Sequence, residues 1–269
     1  MKIGKQVSLV LFVILLVACA VTPTGRKQLS IIPESQLIVM GVQSFHEMQD
    51  KTPAVKDAKL QAYVQCVADT IINLPYVQRR HADWELVVFD GNEANAFALP
   101  GGKIGVYKGL LNVAQTPGQL AAVLGHEVGH VLAHHGNERV SQQFAMSQAM
   151  GLLEAWVMQG DAKNKELAMS LLGIGGQLGV ILPFSRLHES EADEIGQELM
   201  AYAGFDPAES VALWQNMAKN GQANVPEFLS THPSHGTRID KLRKGAKQHQ
   251  SIYQQAIAAS GKPKCQPPA

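Results

Sequence analysis

Charge of one sign, long apolar runs and cysteine are all in short supply here. The 269 residues carry 23 basic against 23 acidic groups, which leaves no basic stripe for nucleic acid and removes it as an expected partner. Only 17% of residues are charged against 46% hydrophobic, which excludes an intrinsically disordered chain. Glycine and proline are neither periodic nor in excess, and no internal repeat is visible, so collagen-like, low-complexity and repeat architectures fall away. No apolar run approaches the roughly 20 residues that a bilayer-spanning helix needs. The length suits one large domain or two small ones. Two features stand out against this plain background: ten histidines and an odd three cysteines.

The cysteines divide by position. Lys2 and Lys5 precede an apolar run from Val7 to Ala18, the layout of a secretory leader. Leu16-Val17-Ala18-Cys19 resembles the bacterial lipobox, after which Cys19 would be diacylated; an ordinary leader with Cys19 at the cut by chance would still imply export. Two acyl chains hold a protein stably at a membrane. Ala20 rather than Asp follows, which in a Gram-negative envelope points to the outer membrane. Removal of Lys2 and Lys5 with the leader turns the neutral balance into a net charge of −2, too small to steer partners. Cys66 and Cys265 remain, an even pair in a disulfide-permitting compartment, bridged or else two thiols with Cys66 on an apolar helix face.

Val21 to Lys27 reads as a polar tether. Leu37, Met40, Val42 and Phe45, then Leu60, Val64, Val67 and Ile71, recur at helical spacing and predict helices over 34–49 and 55–74. From Trp84 to Phe89 the residues are aromatic and β-branched and end in Asp90-Gly91-Asn92, a strand entering a turn. Asn95 to Leu99, Pro100-Gly101-Gly102 and Lys103 to Tyr107 predict a hairpin. Strands are few and clustered and the rest is helical, so the expected class is α+β.

The next helix carries the chemistry. Thr116 is its predicted N-cap, Pro117 its first residue, and Gln119 completes a capping-box pattern. It reaches His126-Glu127-Val128-Gly129-His130, where a spacing of four puts both imidazoles one turn apart on one face with Glu127 beside them. Catalytic zinc takes three protein ligands and keeps one position for water. A third histidine ten residues after His126 is missing, because Gly136 stands there. His134 lies more than 5 Å further along the axis than His130, about one turn too far. His134 and His135 are read as outer contacts or solvated residues. On a second helix starting near Arg186, Glu189 and Asp193 share a face while Glu191 points away. Glu189 is read as the third ligand and Asp193 as the carboxylate that orients a ligand histidine. Leu167 to Leu182, sixteen residues without a charge, is read as half of a buried or cleft-covering helix pair over Arg139–Leu182.

Asn95 to Gly102, His126 to His130, Glu189 to Asp193, and Thr231-His232-Pro233 with Arg238 together resemble the gluzincin metallopeptidases of peptidase family M48, which include the HtpX-type heat-shock proteases and the CAAX prenyl proteases. The chain is most similar to the lipid-anchored periplasmic branch. The resemblance implies a mostly helical zincin fold with a small sheet beside the active-site helix. It implies one zinc ion on His126, His130 and Glu189, and Glu127 as general base. It also implies His232 and Arg238 as cleft residues assisting the oxyanion, or His232 as a cover over the metal in a latent state. The strand Asn95-Ala96-Phe97-Ala98 is the expected edge for an extended substrate. The expected organisation is a leader over 1–18, a lipidated tether over 19–33, a metallopeptidase domain over 34–249 and a tail over 250–269. The expected activity is endoproteolysis of unfolded or misassembled envelope proteins on the periplasmic side of a bacterial outer membrane, with envelope assembly machinery as a further partner. The alternative is a zinc-containing, chaperone-like binding lipoprotein that rarely cleaves.

Overall fold

In the computed structural model, which describes residues 19–80, 83–158, 184–220, 227–232 and 237–268, the chain begins with an antiparallel hairpin where a polar tether is expected. Strands β1 (Cys19–Val21) and β2 (Lys27–Leu29) pair Cys19 with Leu29 and Val21 with Lys27. The segment is folded because Arg26 finds carboxylates more than a hundred residues away, which no local pattern reveals. The leader, the stretch Leu167–Leu182, Pro233 and His235 lie outside the described residues.

Helix α1 (Glu34–Lys51) buries Leu37, Gly41 and Phe45, a stripe of three residues spaced four apart. Met40, expected on that face, is instead exposed; the glycine at 41 takes its place because the carbonyl of Pro100 comes against the helix there. Helix α2 (Ala58–Ile72) is capped by Asp57, whose carboxylate accepts from the Lys59 and Leu60 amides, and buries Val64, Val67 and Ile71. A short helix α3 (Pro75–Gln78) leads to the sheet.

Three strands form that sheet: β3 (Glu85–Phe89), β4 (Ala96–Leu99) and β5 (Lys103–Tyr107). The order is β3-β5-β4, with β3 parallel to β5 and β4 antiparallel to it, so β4 is an edge. Phe45 packs edge-on against Phe89 and Phe97 and seats α1 on the sheet. Phe97 thereby joins an aromatic cluster while part of it still lines the cleft beside the sheet.

Helix α4 (Pro117–Leu132) runs from the sheet into the core and is buried almost throughout. Thr116 caps it by accepting from the Gln119 amide, while the Gln119 side chain reaches back to the amide of Gln115, one residue before the cap. Helix α5 (His135–Met158) follows after His134, which adopts φ 53 and breaks the axis. Over 142–151 this helix is mostly exposed rather than buried, Arg139 at its start lines the cleft, and the second half of the expected buried or cleft-covering pair lies outside the described residues. Helix α6 (Arg186–Tyr202), capped by Ser185, lies along α4. Helices α7 (Glu209–Asn220), α8 (Glu227–Thr231) and α9 (Arg238–Ser260) complete the fold. Since α9 continues to Ser260, residue 250 marks no end of structure, and Cys265 beyond it is bridged to Cys66 on α2. The fold is α+β and mostly helical. Among the described residues no helix is long and apolar enough to cross a membrane.

Where α4 meets α6 the backbones nearly touch. A Cβ added at Gly196 would lie 2.8 Å from the His126 amide nitrogen, and one at Gly129 would lie 2.9 Å from the Ala192 carbonyl oxygen. Neither partner atom can move without moving a helix. Gly196→Ala is accordingly expected to cost about 1–3 kcal/mol of stability through overpacking, read as a lowered denaturant midpoint at unchanged slope.

Candidate metal centre

Helix geometry sets the first half of the site and the α4–α6 contact supplies the rest. His126 and His130, one turn apart on α4, bring their Nε2 atoms to 3.0 Å of each other. Glu189, in the first turn of α6, places Oε2 3.4 Å from His126 Nε2 and Oε1 3.4 Å from His130 Nε2. Ligand bonds of about 2.0–2.1 Å in a tetrahedron give edges of roughly 3.3 Å, so these three donors fit a zinc-sized ion. All three side chains are buried. His232, just after α8, joins them: its Nδ1 lies 2.9 Å from Glu189 Oε1 and 3.2 Å from His126 Nε2, and the four residues offer donor atoms within 4.8 Å of one another. Its ring is held between Phe228 and Phe184, with centroids 4.4 and 5.4 Å away.

Behind His126, Asp193 Oδ1 accepts from Nδ1 at 2.9 Å, which leaves Nε2 facing the donor set. Arg238 grips Asp193 with Nε and one terminal nitrogen at 2.8 and 2.7 Å, and gives the other to Glu189 Oε2 at 2.8 Å. Its guanidinium stacks on Trp214 at 3.6 Å and is almost wholly buried. This placement corrects the expectation of Arg238 at the cleft: it is behind the donor set, it does not line the cleft, and its donors are taken by the two carboxylates. It is a positioning residue. Burial by itself pushes Asp193 upward, but Arg238 and His126 outweigh it and hold the carboxyl below its usual range. Glu189 is likewise raised by burial and drawn well below the ordinary value by the surrounding histidines.

Glu127 faces the open side. Its Oε2 accepts from the Ala98 amide at 3.2 Å, while Oε1 is buried without a hydrogen-bond partner, with His232 Nε2 3.4 Å away. Burial raises its pKa, and the histidines only partly offset this. A cleft of about 340 Å³ opens over it, lined among others by Asn95, Ala98, Glu127, His130, Arg139 and His232. The Tyr107 amide bonds to Asn95 carbonyl oxygen, so the alternation of an antiparallel ladder turns the main-chain groups of Ala96 and Ala98 away from β5. Asn95, Ala96, Phe97 and Ala98 all line the cleft, and beyond it Phe97 packs into the aromatic cluster, Ala96 into the core, and the Ala98 amide meets Glu127.

Two residues, Glu191 and His135, take partners that spacing along a single helix does not predict. Glu191 does point away from the donor set, but into a buried cluster with Arg26, Glu138, His135 and His188. His135 separates from His134: the break at His134 leaves that residue exposed and turns His135 inward beneath His130. No local signal distinguishes the two, since helical spacing stops applying at the break.

A helix-borne pair of histidines, completed by a carboxylate from a second helix and flanked by a buried glutamate, defines a metallopeptidase-type centre. Residues 56–246 match the family model described as Peptidase family M48, and the chain belongs to that family. It is 31% identical over 233 residues to Metalloendopeptidase OMA1, mitochondrial, of Bos taurus, which covers 81% of this chain and 44% of that protein. Against Mitochondrial metalloendopeptidase OMA1 of Schizosaccharomyces pombe it is 40% identical over 161 residues, 59% of this chain and 45% of the relative. The Beta-barrel assembly-enhancing protease of Escherichia coli K12 is 24% identical over 236 residues, 86% of this chain and 48% of that protein. The chain spans less than half the length of each of these three.

If Asp193 orients His126, Asp193→Asn weakens zinc binding by about 10–100-fold, measured by chelator competition.

Proposed function

We propose that this chain is a zinc-dependent endopeptidase that cuts unfolded or misassembled polypeptides. The observation that carries the reading is the buried, half-unpartnered carboxylate of Glu127 between the donor set and the cleft. Zinc, one ion per chain on His126, His130 and Glu189, supplies a Lewis acid that polarises a carbonyl and makes water more acidic. The protein's own groups do the rest. The Ala98 amide pins Glu127 Oε2, which leaves Oε1 to take a proton from the attacking water and hand it to the departing amine. A carboxyl raised by burial suits both halves of that transfer. His232, a side chain's width from Glu127 and held between two phenyl rings, is placed to donate to the charge that develops on the carbonyl oxygen. An extended peptide would lie along the edge of β4 and use the Ala98 carbonyl, the amide being held by Glu127, a mode that selects unfolded segments over sequence.

The leader pattern and Cys19 support a diacylated protein on the periplasmic face of a bacterial outer membrane, with lipid as its anchor and no nucleic acid as partner. The relative named for β-barrel assembly supports a link to envelope assembly machinery, while the OMA1 relatives are by name mitochondrial.

His232 also favours a second reading. With its Nδ1 among the donors, four side chains fill the coordination sphere, as in closed structural sites, and the protein would be latent, binding chains and rarely cutting them. Turnover of an unfolded polypeptide separates the two. The protease reading expects cleavage by the zinc-loaded wild type and a loss of about 10²–10⁴-fold in Glu127→Gln with zinc content unchanged. Equal inertness of both zinc-loaded forms would leave the latent reading. Under latency His232→Ala gains turnover; under oxyanion assistance it loses it.

A further inference from the structure

Behind His130, on the side away from the donor set, lies the buried cluster that the proposed reaction does not use. His130 Nδ1 is 2.9 Å from His135 Nδ1, and His135 Nε2 is 3.1 Å from Glu191 Oε2. Chemistry sets the direction of both bonds. A His130 whose Nε2 lone pair faces a metal carries its proton on Nδ1 and donates to His135, and His135 then keeps its proton on Nε2 and donates to Glu191. Glu191 also accepts from Thr24 Oγ1 and, at 2.7 Å, from Arg26 Nε. The remaining two nitrogens of Arg26 form a two-pronged pair with Glu138 at 3.0 and 2.7 Å. Glu138 accepts in addition from His188, whose ring stacks on His135 with centroids 4.6 Å apart. His135 is fully buried, and Glu138, Glu191 and His188 are nearly so.

We infer that Arg26, carried on the N-terminal hairpin, is a positioning residue for the metal centre: by holding Glu191 it fixes, through His135, the tautomer and ring orientation of His130. This rests on the reading of His126, His130 and Glu189 as a zinc site. The arrangement mirrors the other histidine. His126 is backed by a carboxylate that Arg238 of α9 grips, and His130 by a histidine and a carboxylate that Arg26 grips. A lysine replaces Arg26 only in part, because one guanidinium addresses Glu191 along one edge and Glu138 along another and an ammonium keeps the charge without that fork. Arg26 also lies outside residues 56–246, so the support for His130 comes from beyond the stretch that matches the family model. Hairpin and metal centre are in consequence one mechanical unit. Displacing the hairpin withdraws the cation from two buried carboxylates, and Glu191, no longer held by Arg26, ceases to fix the ring of His135.

Chelator competition on the full chain tests this by reading the zinc Kd of wild type, Arg26→Ala, Arg26→Lys and Thr24→Val. Arg243→Ala, whose ion pair with Asp240 is exposed, serves as the surface control. Arg26→Ala is expected to raise Kd about 10–100-fold, with smaller rises in Arg26→Lys and Thr24→Val and none in the control. The visible bands of the cobalt-loaded protein are expected to shift in Arg26→Ala as His130 turns. A Kd within about twofold of wild type together with an unshifted cobalt spectrum overturns the inference, even if the variant melts earlier, since a merely structural clamp stabilises metal-free and metal-loaded protein alike. Should Arg26→Ala not fold, Arg26→Lys and Thr24→Val carry the same two outcomes. A wild type that binds no zinc overturns the zinc-site reading itself, and so separates that failure from one confined to Arg26.

Discussion

The near-contact of α4 with α6 is the constraint on which everything else depends. Glycines at 125, 129 and 196 bring two helix backbones to within a Cβ's width. Only at that separation does the carboxylate of Glu189, on one helix, come within 3.4 Å of two imidazoles on the other. The same approach sets Asp193 against His126 and Glu191 beneath His135. One face of α6 therefore supplies a donor at 189 and the partner of His126 at 193, and the other face supplies the partner of His135 at 191.

Such an arrangement concentrates acid groups in a dry interior, and two arginines balance them. Arg238 is shared by Glu189 and Asp193, Arg26 by Glu138 and Glu191. Buried carboxylates without partners would carry a large desolvation cost, and forked guanidinium groups offset it while also fixing direction. Among the described residues Glu127 is the exception: one of its oxygens is buried beneath the cleft without a hydrogen bond.

Much of this was legible in the residues. The cap at Thr116, the i, i+4 histidines, the shared face of Glu189 and Asp193 and the hairpin over 95–107 depend on periods of 3.6 and 2, and the structure has these elements where the periods put them. The reading fails where the determining contact is remote. The segment after Cys19 looked like a tether because its polar residues have no local partner, yet Arg26 meets Glu138 and Glu191 across sequence separations of 112 and 165. Arg238 was placed at the cleft from a motif that records its presence and not its orientation. Met40 was assigned to a buried stripe that Gly41 occupies, because the approach of Pro100 decides that face.

By itself, then, the sequence determined the α+β class, the helix that presents two histidines and a glutamate, and the second helix with its carboxylates, since each follows from spacing along a single element. The tertiary structure alone decided which acid serves which histidine, that Arg238 stands behind the metal centre, that His232 sits among the donors, and that the N-terminal hairpin reaches His130. Those are relations between elements, and they arise from how closely two helices can pack and where buried charge finds its counter-charge.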